Sequence, residues 1–407
     1  KPWRIIVFDV SGIIKCGNSP IILQSNQTIL GQIAPGKGVV LYGGRVTASG
    51  AKNLIVRYLR MRLGAGYSGD KDACGVANGT DMIFDHCSIT WGKDENFSIN
   101  ADNKGSQPKN ITIQNSIIGQ GLQNHSCGGL IQTDIDEGIT IFRNLYIDNK
   151  TRNPKVKGLN QFVNNVVYNW GSGAAYNMGG ESSGKSETTI ENNYFIKGPC
   201  NNWQNVAQPD GSIITENVAM SPAKPFLGGN EDFRSYCVGN FYDSDIDGIL
   251  NGVEITQENW NQYCSGTPTF QSARSGLHPI IKNQKSASEA YDWIVKKVGA
   301  SLPVRDDVDN FLIDELTSLG SKGTIIQDER ITTQFVLGGP GKIDSVEKQL
   351  DTDNDGMPDT FEDAWGLDKN NPKDALLKAR NGYLNIENYA LSLEFPEEYQ
   401  YELNKLK

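Results

Sequence analysis

A short strand-like unit recurs along the first two thirds of the chain and restricts the fold more than any other feature. Its copies each place one residue before a second apolar pair, as in "MIFDHCSIT", "ITIQNSII", "ITIFRNLYI", "QFVNNVVY", "TTIENNYFI", "SIITENVAM" and "SYCVGNFY". The aligned residues, 21 to 29 positions apart, are Cys87, Asn115, Asn144, Asn165, Asn193, Asn217 and Asn240. A repeat of about 20–30 residues built from short strands indicates a solenoid, whose coils bury their apolar sides against one another.

The asparagines favour parallel stacking of the coils. A side-chain amide can hydrogen-bond to the same group one coil above and one coil below. The alternative is a β-sandwich with chance asparagines, but sandwich strands usually recur every ~8–12 residues with hairpin turns. We therefore predict an all-β fold, a right-handed parallel β-helix, with earlier coils in "PIILQSNQTILGQ", "GVVLYGG" and "NLIVRYLRMRLG".

The pattern changes after about residue 265. The segments "SASEAYDWIVKKVGA" and "DDVDNFLIDELTSLG" have apolar residues at helical spacing, begin with Ser or Asp and include a Gly at or near their ends. We expect a parallel β-helix domain with the active site over 1–265, helical and loop segments packed on it over 266–345, and a C-terminal region over 346–407.

An acidic loop, "DTDNDGMPDTFE", stands in this C-terminal region and matches the spacing of an EF-hand-like calcium loop. Oxygens at alternate positions can converge on a hard cation, and a Gly permits the sharp turn. A solvated acidic turn is the alternative. We predict a structural calcium site with ligands from Asp351, Asp353, Asp355, Met357, Asp359 and Glu362. The loop "DSDIDGILNGVE" has similar spacing with apolar insertions, and its calcium binding stays open.

Charge and apolar patterning exclude several classes of partner. The net charge of −10 and pI near 5.0 disfavour a general nucleic-acid surface, because polyanion affinity comes mainly from basic groups. No stretch approaches the ~20 apolar residues of a membrane-spanning helix. The seven cysteines lack zinc-site spacing. A polyanionic ligand would need a local basic patch or a bridging cation.

Such a patch occurs in "DNKTRNPKVKG", which contains Lys150, Arg152, Lys155 and Lys157. Arg152 follows a strand-like segment, and Pro154 cannot donate to a strand ladder, so the cations belong at a strand end or turn. Arg and Lys there can bind carboxylates, and Arg can do so with two parallel hydrogen bonds. The alternative is a solvated basic turn.

Three segments, "FDHCSITWGKDENFSI", "IFRNLYIDNKTRNPKVKG" and "VNNVVYNWGSGAAYNMGGE", resemble polysaccharide lyase family 1, the pectate lyases, and particularly its Bacteroidetes-type members. The resemblance spans most of the chain. It implies a right-handed parallel β-helix and calcium-assisted β-elimination of polygalacturonate to 4,5-unsaturated products. The family's R-x-P-x-x-R motif corresponds to Arg152-x-Pro154-x-x-Lys157, which implies Arg152 as the base and Lys157 as a ligand of a substrate carboxylate.

The resemblance also implies Ca²⁺ held by Asp94 and Glu95, although Ser98 stands where another carboxylate is expected. Arginine stays protonated in water. A neutral Arg152 would need nearby positive charge and exclusion from solvent, and the neighbouring lysines would supply part of that charge. The remaining expected substrate contacts are Lys155, His125, Trp91 and Tyr176, the two aromatic side chains by stacking on sugar rings.

Two other functions stay open at this point. A polygalacturonase-like hydrolase needs carboxylates on both sides of the scissile bond, and no dense Asp pair accompanies Arg152. A pectin-binding β-helix without lyase activity is compatible with the departures at Ser98, Ser126 and Lys157. We expect a monomer that acts on an acidic polysaccharide, without nucleic acid or a membrane span. We expect it to be secreted, periplasmic or on the cell surface, with any signal peptide outside this sequence.

Overall fold

The chain winds through three parallel sheets in turn, one strand per sheet in each coil. This architecture comes from a computed structural model that describes residues 2–101, 108–179, 185–222 and 224–400. Corresponding strands pair in parallel from coil to coil; Phe84 lies beside Ile113, and Ile113 lies beside Ile141. The last strand of the second sheet, Val253–Ile255, is the exception and pairs antiparallel with Asn240–Asp243. The predicted right-handed parallel β-helix is confirmed.

Each of the three sheets stacks its strands in the order of the chain. The first sheet contains Arg4–Ile6, Gln27–Leu30, Lys52–Arg57, Thr80–Asp85, Lys109–Gln114, Ile139–Phe142, Leu159–Val163, Ser186–Glu191, Phe233–Val238 and Thr269–Phe270. The second sheet contains Gly12–Lys15, Val39–Tyr42, Arg60–Arg62, Ser88–Thr90, Ile117–Gly119, Leu145–Ile147, Val166–Tyr168, Tyr194–Ile196, Asn240–Asp243 and Val253–Ile255. The third sheet contains Ile21–Ile22, Val46–Thr47, Cys74–Val76, Phe97–Asn100, Leu130–Gln132, Lys155–Lys157, Tyr176–Asn177 and Phe226–Leu227.

A ladder of asparagines crosses the β-helix at the turn between the first and second sheets. The Oδ1 of Asn165 accepts from the backbone N–H of Asn144 at 2.9 Å, and the Oδ1 of Asn193 accepts from that of Asn165 at 2.8 Å. Asn240 repeats the contact with Asn193 at 3.2 Å. Each buried amide thus satisfies backbone groups that the turn leaves outside the sheets.

The predicted asparagine register is correct for Asn144, Asn165, Asn193 and Asn240, and it is wrong for Asn115 and Asn217. Ser116, not Asn115, continues the ladder, since its backbone N–H donates to Asn144 at 2.9 Å. Asn217 lies in an antiparallel hairpin formed by Asn201–Ala207 and Ile213–Ala219, with Thr324–Ile325 alongside. Strand Ser186–Glu191 pairs directly with Phe233–Val238, so the hairpin adds no coil. It is an insertion within one coil, between strands Tyr194–Ile196 and Phe226–Leu227.

The helices are α1 Trp260–Tyr263, α2 Ala287–Lys297, α3 Asp307–Thr317, α4 Asp359–Trp365 and α5 Asn385–Glu394, with 3-10 turns at Gly31–Ile33 and Asp374–Leu376. Helices α2 and α3 cover the outside of the second sheet, and α4 and α5 cover the start of the solenoid. The short α1 packs on Phe226 and Phe270 near the other end. The predicted starts of α2 and α3 are confirmed, because Ser286 and Asp306 accept hydrogen bonds from the first turns of these helices.

The helices are tied to the β-helix by apolar packing and by buried charge. Ile294 of α2 and Leu312 of α3 join one buried cluster with Leu145 of the second sheet. Arg62 donates to both carboxylate oxygens of Asp306, at 2.7 and 2.9 Å, which docks the start of α3 on the second sheet. Within the described residues, no helix is long and apolar enough to cross a membrane.

Candidate active site

The candidate site lies at the strand starts of the third sheet, where three successive coils stack. Glu95 forms a parallel bridge with Cys127, and Cys127 forms one with Thr151. Glu95 therefore lies two coils from Arg152, which directly follows Thr151. Residues far apart in sequence reach one surface because each precedes a strand of the same sheet.

Arg152 and Glu95 form an ion pair through the guanidinium Nη1 and the carboxylate Oε1. Burial lowers the pKa of Arg152, but nearby Cys127, Glu95 and Asp94 raise it, and the net direction is upward. The Arg152 guanidinium is therefore held as a cation in this arrangement. The neutral form required of a base is not favoured while Glu95 keeps its charge.

Glu95 belongs to a carboxylate cluster with Asp72 and Asp94, whose oxygens lie within 4.8 Å of one another. Burial and the two neighbouring carboxylates raise the pKa of Glu95, although Arg152 acts in the opposite direction. Burial also raises the pKa of Asp72. The single guanidinium of Arg152 does not offset the repulsion among the three carboxylates. Three carboxylate oxygens arranged in this way suit a hard divalent cation.

Asp72 is the member of this cluster that sequence reasoning missed. It precedes strand Cys74–Val76 by two residues, as Glu95 precedes Phe97–Asn100, and Phe97 pairs with Cys74. The available signal was this equal offset from consecutive strands. Ser98, by contrast, is buried, and its hydroxyl accepts from the backbone N–H of Leu130 at 3.3 Å. The third carboxylate thus comes from the preceding coil.

A cleft of about 590 Å³ opens beside the cluster; its lining comprises Asp70, Lys93, Gln123, Asn124, His125, Lys150 and Thr151. The Nδ1 of His125 lies 3.2 Å from the Oδ1 of Asp94, and the His125 side chain is 46% exposed. His125 is thus positioned to meet a ligand in the cleft. Lys150 adds positive charge to the same wall.

Lys155 and Lys157 lie on the next strand of the third sheet, with Val156 between them buried in the core. Alternate residues of a strand share a face, so both lysines project from the side opposite Val156. Burial, and then the charge of Arg152, lower the pKa of Lys155. The lysines therefore extend the positive surface that begins at Arg152.

The expectation that Trp91 and Tyr176 stack on sugar rings is wrong, because both side chains are completely buried. The Nε1–H of Trp91 donates to the Oε1 of Gln120 at 2.7 Å, and its ring packs against Phe335. The Tyr176 ring packs between Phe162 and Phe226 in the β-helix core. Neither ring has a face open to a ligand.

Comparison with known proteins decides the family of this site. The family model described as pectate lyase matches residues 14–237. The chain belongs to the pectate lyase family. It is 44% identical over 393 residues to the probable pectate lyase C of Aspergillus flavus, covering 97% of this chain and 84% of the relative. The probable pectate lyase C of Neosartorya fischeri is 45% identical over 390 residues, with 96% and 83% covered.

Two solved structures of pectate lyases are more distant matches. One, from Bacillus sp. N165 in complex with trigalacturonate, is 17% identical with a TM-score of 0.44 and covers 72% of this chain and 84% of that chain. Pectate lyase C from Erwinia chrysanthemi with Ca²⁺ is 16% identical with a TM-score of 0.40 and covers 72% and 77%.

Family membership makes this chain a polysaccharide lyase and favours that function over the hydrolase and the binding protein. The relatives at 43–45% identity are fungal, so they give no support to the Bacteroidetes-type subgroup.

Proposed function

We propose that this family member is a calcium-dependent pectate lyase that cleaves polygalacturonate to 4,5-unsaturated oligogalacturonides. In the reaction the C5–H and C4–O4 bonds break and a C4=C5 bond forms. The base takes the C5 proton and then releases it to solvent, and the departing O4 takes a proton from solvent. The observation that supports the proposal is the contact of Arg152 with the Asp72–Asp94–Glu95 cluster, beside a basic cleft.

Asp72, Asp94 and Glu95 are the residues that would hold the calcium ion. Their fit rests on three carboxylate oxygens that lie within 4.8 Å of one another. The raised pKa values of Asp72 and Glu95, which come mainly from burial, are in keeping with a cation site. Bound there, Ca²⁺ would attract a galacturonate carboxylate and make the neighbouring C5 proton more acidic.

Arg152 is the proposed base, and its surroundings determine when it can act. Glu95 raises its pKa, so the guanidinium can approach neutrality only when the charge of Glu95 is taken up elsewhere. The charge of Lys155 then favours the neutral form of Arg152, since neighbouring like charges disfavour a second cation. The charge of Arg152 contributes to the lowered pKa of Lys155, because the two cations repel each other.

The remaining cations would bind the substrate. Lys157 would hold one galacturonate carboxylate, and Lys155 and His125 would contact neighbouring sugar units along the third sheet. We further propose that residues 1–265 form the catalytic domain, that 266–345 pack on it, and that the chain acts as a secreted monomer.

Incubation with polygalacturonate tests this function. We expect ultraviolet absorbance from the new C=C bond when calcium is present and its loss when a chelator is added. New reducing ends without absorbance would indicate hydrolysis and overturn the proposal. Retention of the polymer with neither signal, across a calcium titration, would indicate a binding protein and also overturn it.

A further inference from the structure

The acidic loop at the C-terminal end of the chain closes on a residue outside its own sequence pattern. Carboxylate oxygens of Asp351, Asp353 and Asp355 lie within 4.8 Å of one another, and those of Asp355, Glu362 and Asp374 form a second such group. Asp355 belongs to both groups. Asp374 begins a 3-10 turn twelve positions beyond the last residue of the loop pattern.

Glu362 supplies the independent observation that a ligand belongs here. Its side chain is completely buried, and neither carboxylate oxygen has a hydrogen-bond partner among the described residues. Asp374 is 5% exposed, and its Oδ1 likewise has no partner in the described part of the chain. Both oxygens of Asp353 and the Oδ2 of Asp355 are also buried without a hydrogen-bond partner among the described residues. Several buried carboxylates close together are costly unless they are paired with positive groups or coordinate a cation.

Asp359, which the spacing predicts as a ligand, has a different task. Its Oδ1 accepts from the backbone N–H of Thr352 and its Oδ2 from the Thr352 hydroxyl, each at 2.8 Å. Both oxygens are therefore occupied in fixing the start of the loop. Asp359 is therefore left out of the ligand set proposed below, and Asp374, whose carboxylate lies beside that of Glu362, is included.

The backbone of the loop supports the same arrangement. The N–H groups of Asp355 and Gly356 donate to the two oxygens of Asp351, each at 3.2 Å, and Gly356 adopts a φ of 95°. The N–H of Met357 donates to the Oδ1 of Asp355 at 2.8 Å. These bonds orient the carboxylates inward, and an all-oxygen donor set of this size suits Ca²⁺ better than the smaller Mg²⁺.

We propose that Asp351, Asp353, Asp355, Glu362 and Asp374 bind one Ca²⁺ that fastens the C-terminal segment over the first coil of the β-helix. This calcium is separate from the one proposed at the active site and has a structural role. Met357, beside the ligands, is buried in a cluster with Ile386 and Tyr389 of α5, against which Ile5 and Val7 of the first coil pack.

Asp374 is the residue that couples the site to α5. Its carbonyl accepts from the Nδ2 of Asn385, the first residue of that helix, at 2.8 Å. A Cβ at Gly356 would lie 3.1 Å from Val7 and 3.2 Å from Ile386, so the loop fits closely between the first coil and α5. Solenoids require a cover at their ends, and the ion holds this cover together.

Calcium binding and thermal unfolding of the intact protein, with calcium alone as the probe, test the proposal. The comparison uses Asp374→Asn and the matched control Asp363→Asn, whose carboxylate is 58% exposed and pairs with Lys369. Both variants are made in a parent protein that carries Glu95→Gln, so that calcium binding at the active site is weakened. We expect calcium to raise the Tm of this parent and of the Asp363→Asn control. In Asp374→Asn we expect calcium affinity to fall on the order of tenfold and the Tm shift to shrink accordingly. Parent-like affinity in Asp374→Asn, or no Tm shift in the parent, would overturn the proposal.

A second measurement covers the case in which Asp374→Asn does not fold. Hydrogen exchange of the unsubstituted protein, with and without calcium, should show slower exchange over 351–376 and over the first coil when the ion is present. Exchange that is unchanged in both segments would contradict the proposal. Glu362→Gln, which keeps the side-chain shape and removes the charge, should abolish this protection.

Discussion

Arg152 and Glu95 form an ion pair across three coils of the β-helix, with Cys127 on the coil between them. The pair joins the proposed base to a proposed calcium ligand, so the protonation of one depends on the charge of the other. Asp72 lies beside Glu95 in the carboxylate cluster, and its charge helps to raise the pKa of the Glu95 carboxyl. The proposed calcium dependence and the proposed base strength would consequently both be set by one cluster.

Asp72→Asn should raise the calcium concentration needed for half-maximal lyase activity by about tenfold, because one charged ligand is lost. The measurement is the initial rate on polygalacturonate across a calcium titration. Asp136→Asn removes an exposed carboxylate and should leave the titration unchanged. An Asp72→Asn curve that coincides with that control would exclude Asp72 from the metal site.

Asn165→Ala should lower the free energy of unfolding by about 3 kcal/mol, since it orphans the buried N–H of Asn144 and further groups of the ladder. Asn217→Ala, in the exposed hairpin, should change it by less than about 0.5 kcal/mol. Urea unfolding measures both. Equal losses would mean that the ladder does not stabilise the coils as described.

Trp91→Phe should destabilise the protein by about 1–3 kcal/mol while leaving KM for polygalacturonate unchanged. The substitution removes the buried hydrogen bond to Gln120 and leaves the Gln120 oxygen unsatisfied. Unfolding curves and steady-state kinetics on the same preparation separate the two effects. A raised KM with unaltered stability would indicate that Trp91 contacts the substrate and would contradict its structural role.

Asp148→Asn should flatten the dependence of stability on pH. Burial raises the pKa of Asp148 to about 6, and burial together with Asp148 raises the pKa of Glu315 on α3. The folded state thus binds more protons than the unfolded chain, and this contribution to stability, present at low pH, is lost as pH rises through about 6.

The asparagine variant still accepts from Asn169 and needs no proton. Above about pH 7 it should therefore be more stable than the parent by on the order of 1–3 kcal/mol. Urea unfolding between about pH 4 and 8 measures this. The exposed control Asp344→Asn, whose side chain is 71% exposed, should keep the parent's slope. If the free energy of unfolding of Asp148→Asn changes with pH as steeply as that of the parent, Asp148 and Glu315 do not titrate in this way.

The repeating unit made the β-helix predictable, because each coil repeats the same local choice of apolar and polar positions. Ser116 and Asn217 show the limit of that pattern. Asn115 stands one residue from the true ladder position, and the hairpin around Asn217 imitates a coil while pairing antiparallel. Local sequence does not reveal which strand becomes the neighbour.

The basic part of the candidate site could be located from the sequence because Arg152, Lys155 and Lys157 stand within six positions. Asp72 and Asp374 were missed because each joins its cluster only through folding, across a coil or beyond a helix. Trp91 and Tyr176 were misplaced because alternation along a strand does not tell whether a ring at a strand end turns inward. Aromatic residues are plentiful in both surroundings.

Arg152 is the central claim, and the rate of C=C bond formation on polygalacturonate at saturating calcium tests it most directly. Arg152→Ala should lower kcat by about 10²–10⁴-fold, the usual contribution of a positioned general base. Its Tm should stay close to that of Arg234→Ala, a control at an arginine that is 55% exposed. A kcat of Arg152→Ala within a few fold of the Arg234→Ala control would contradict the account.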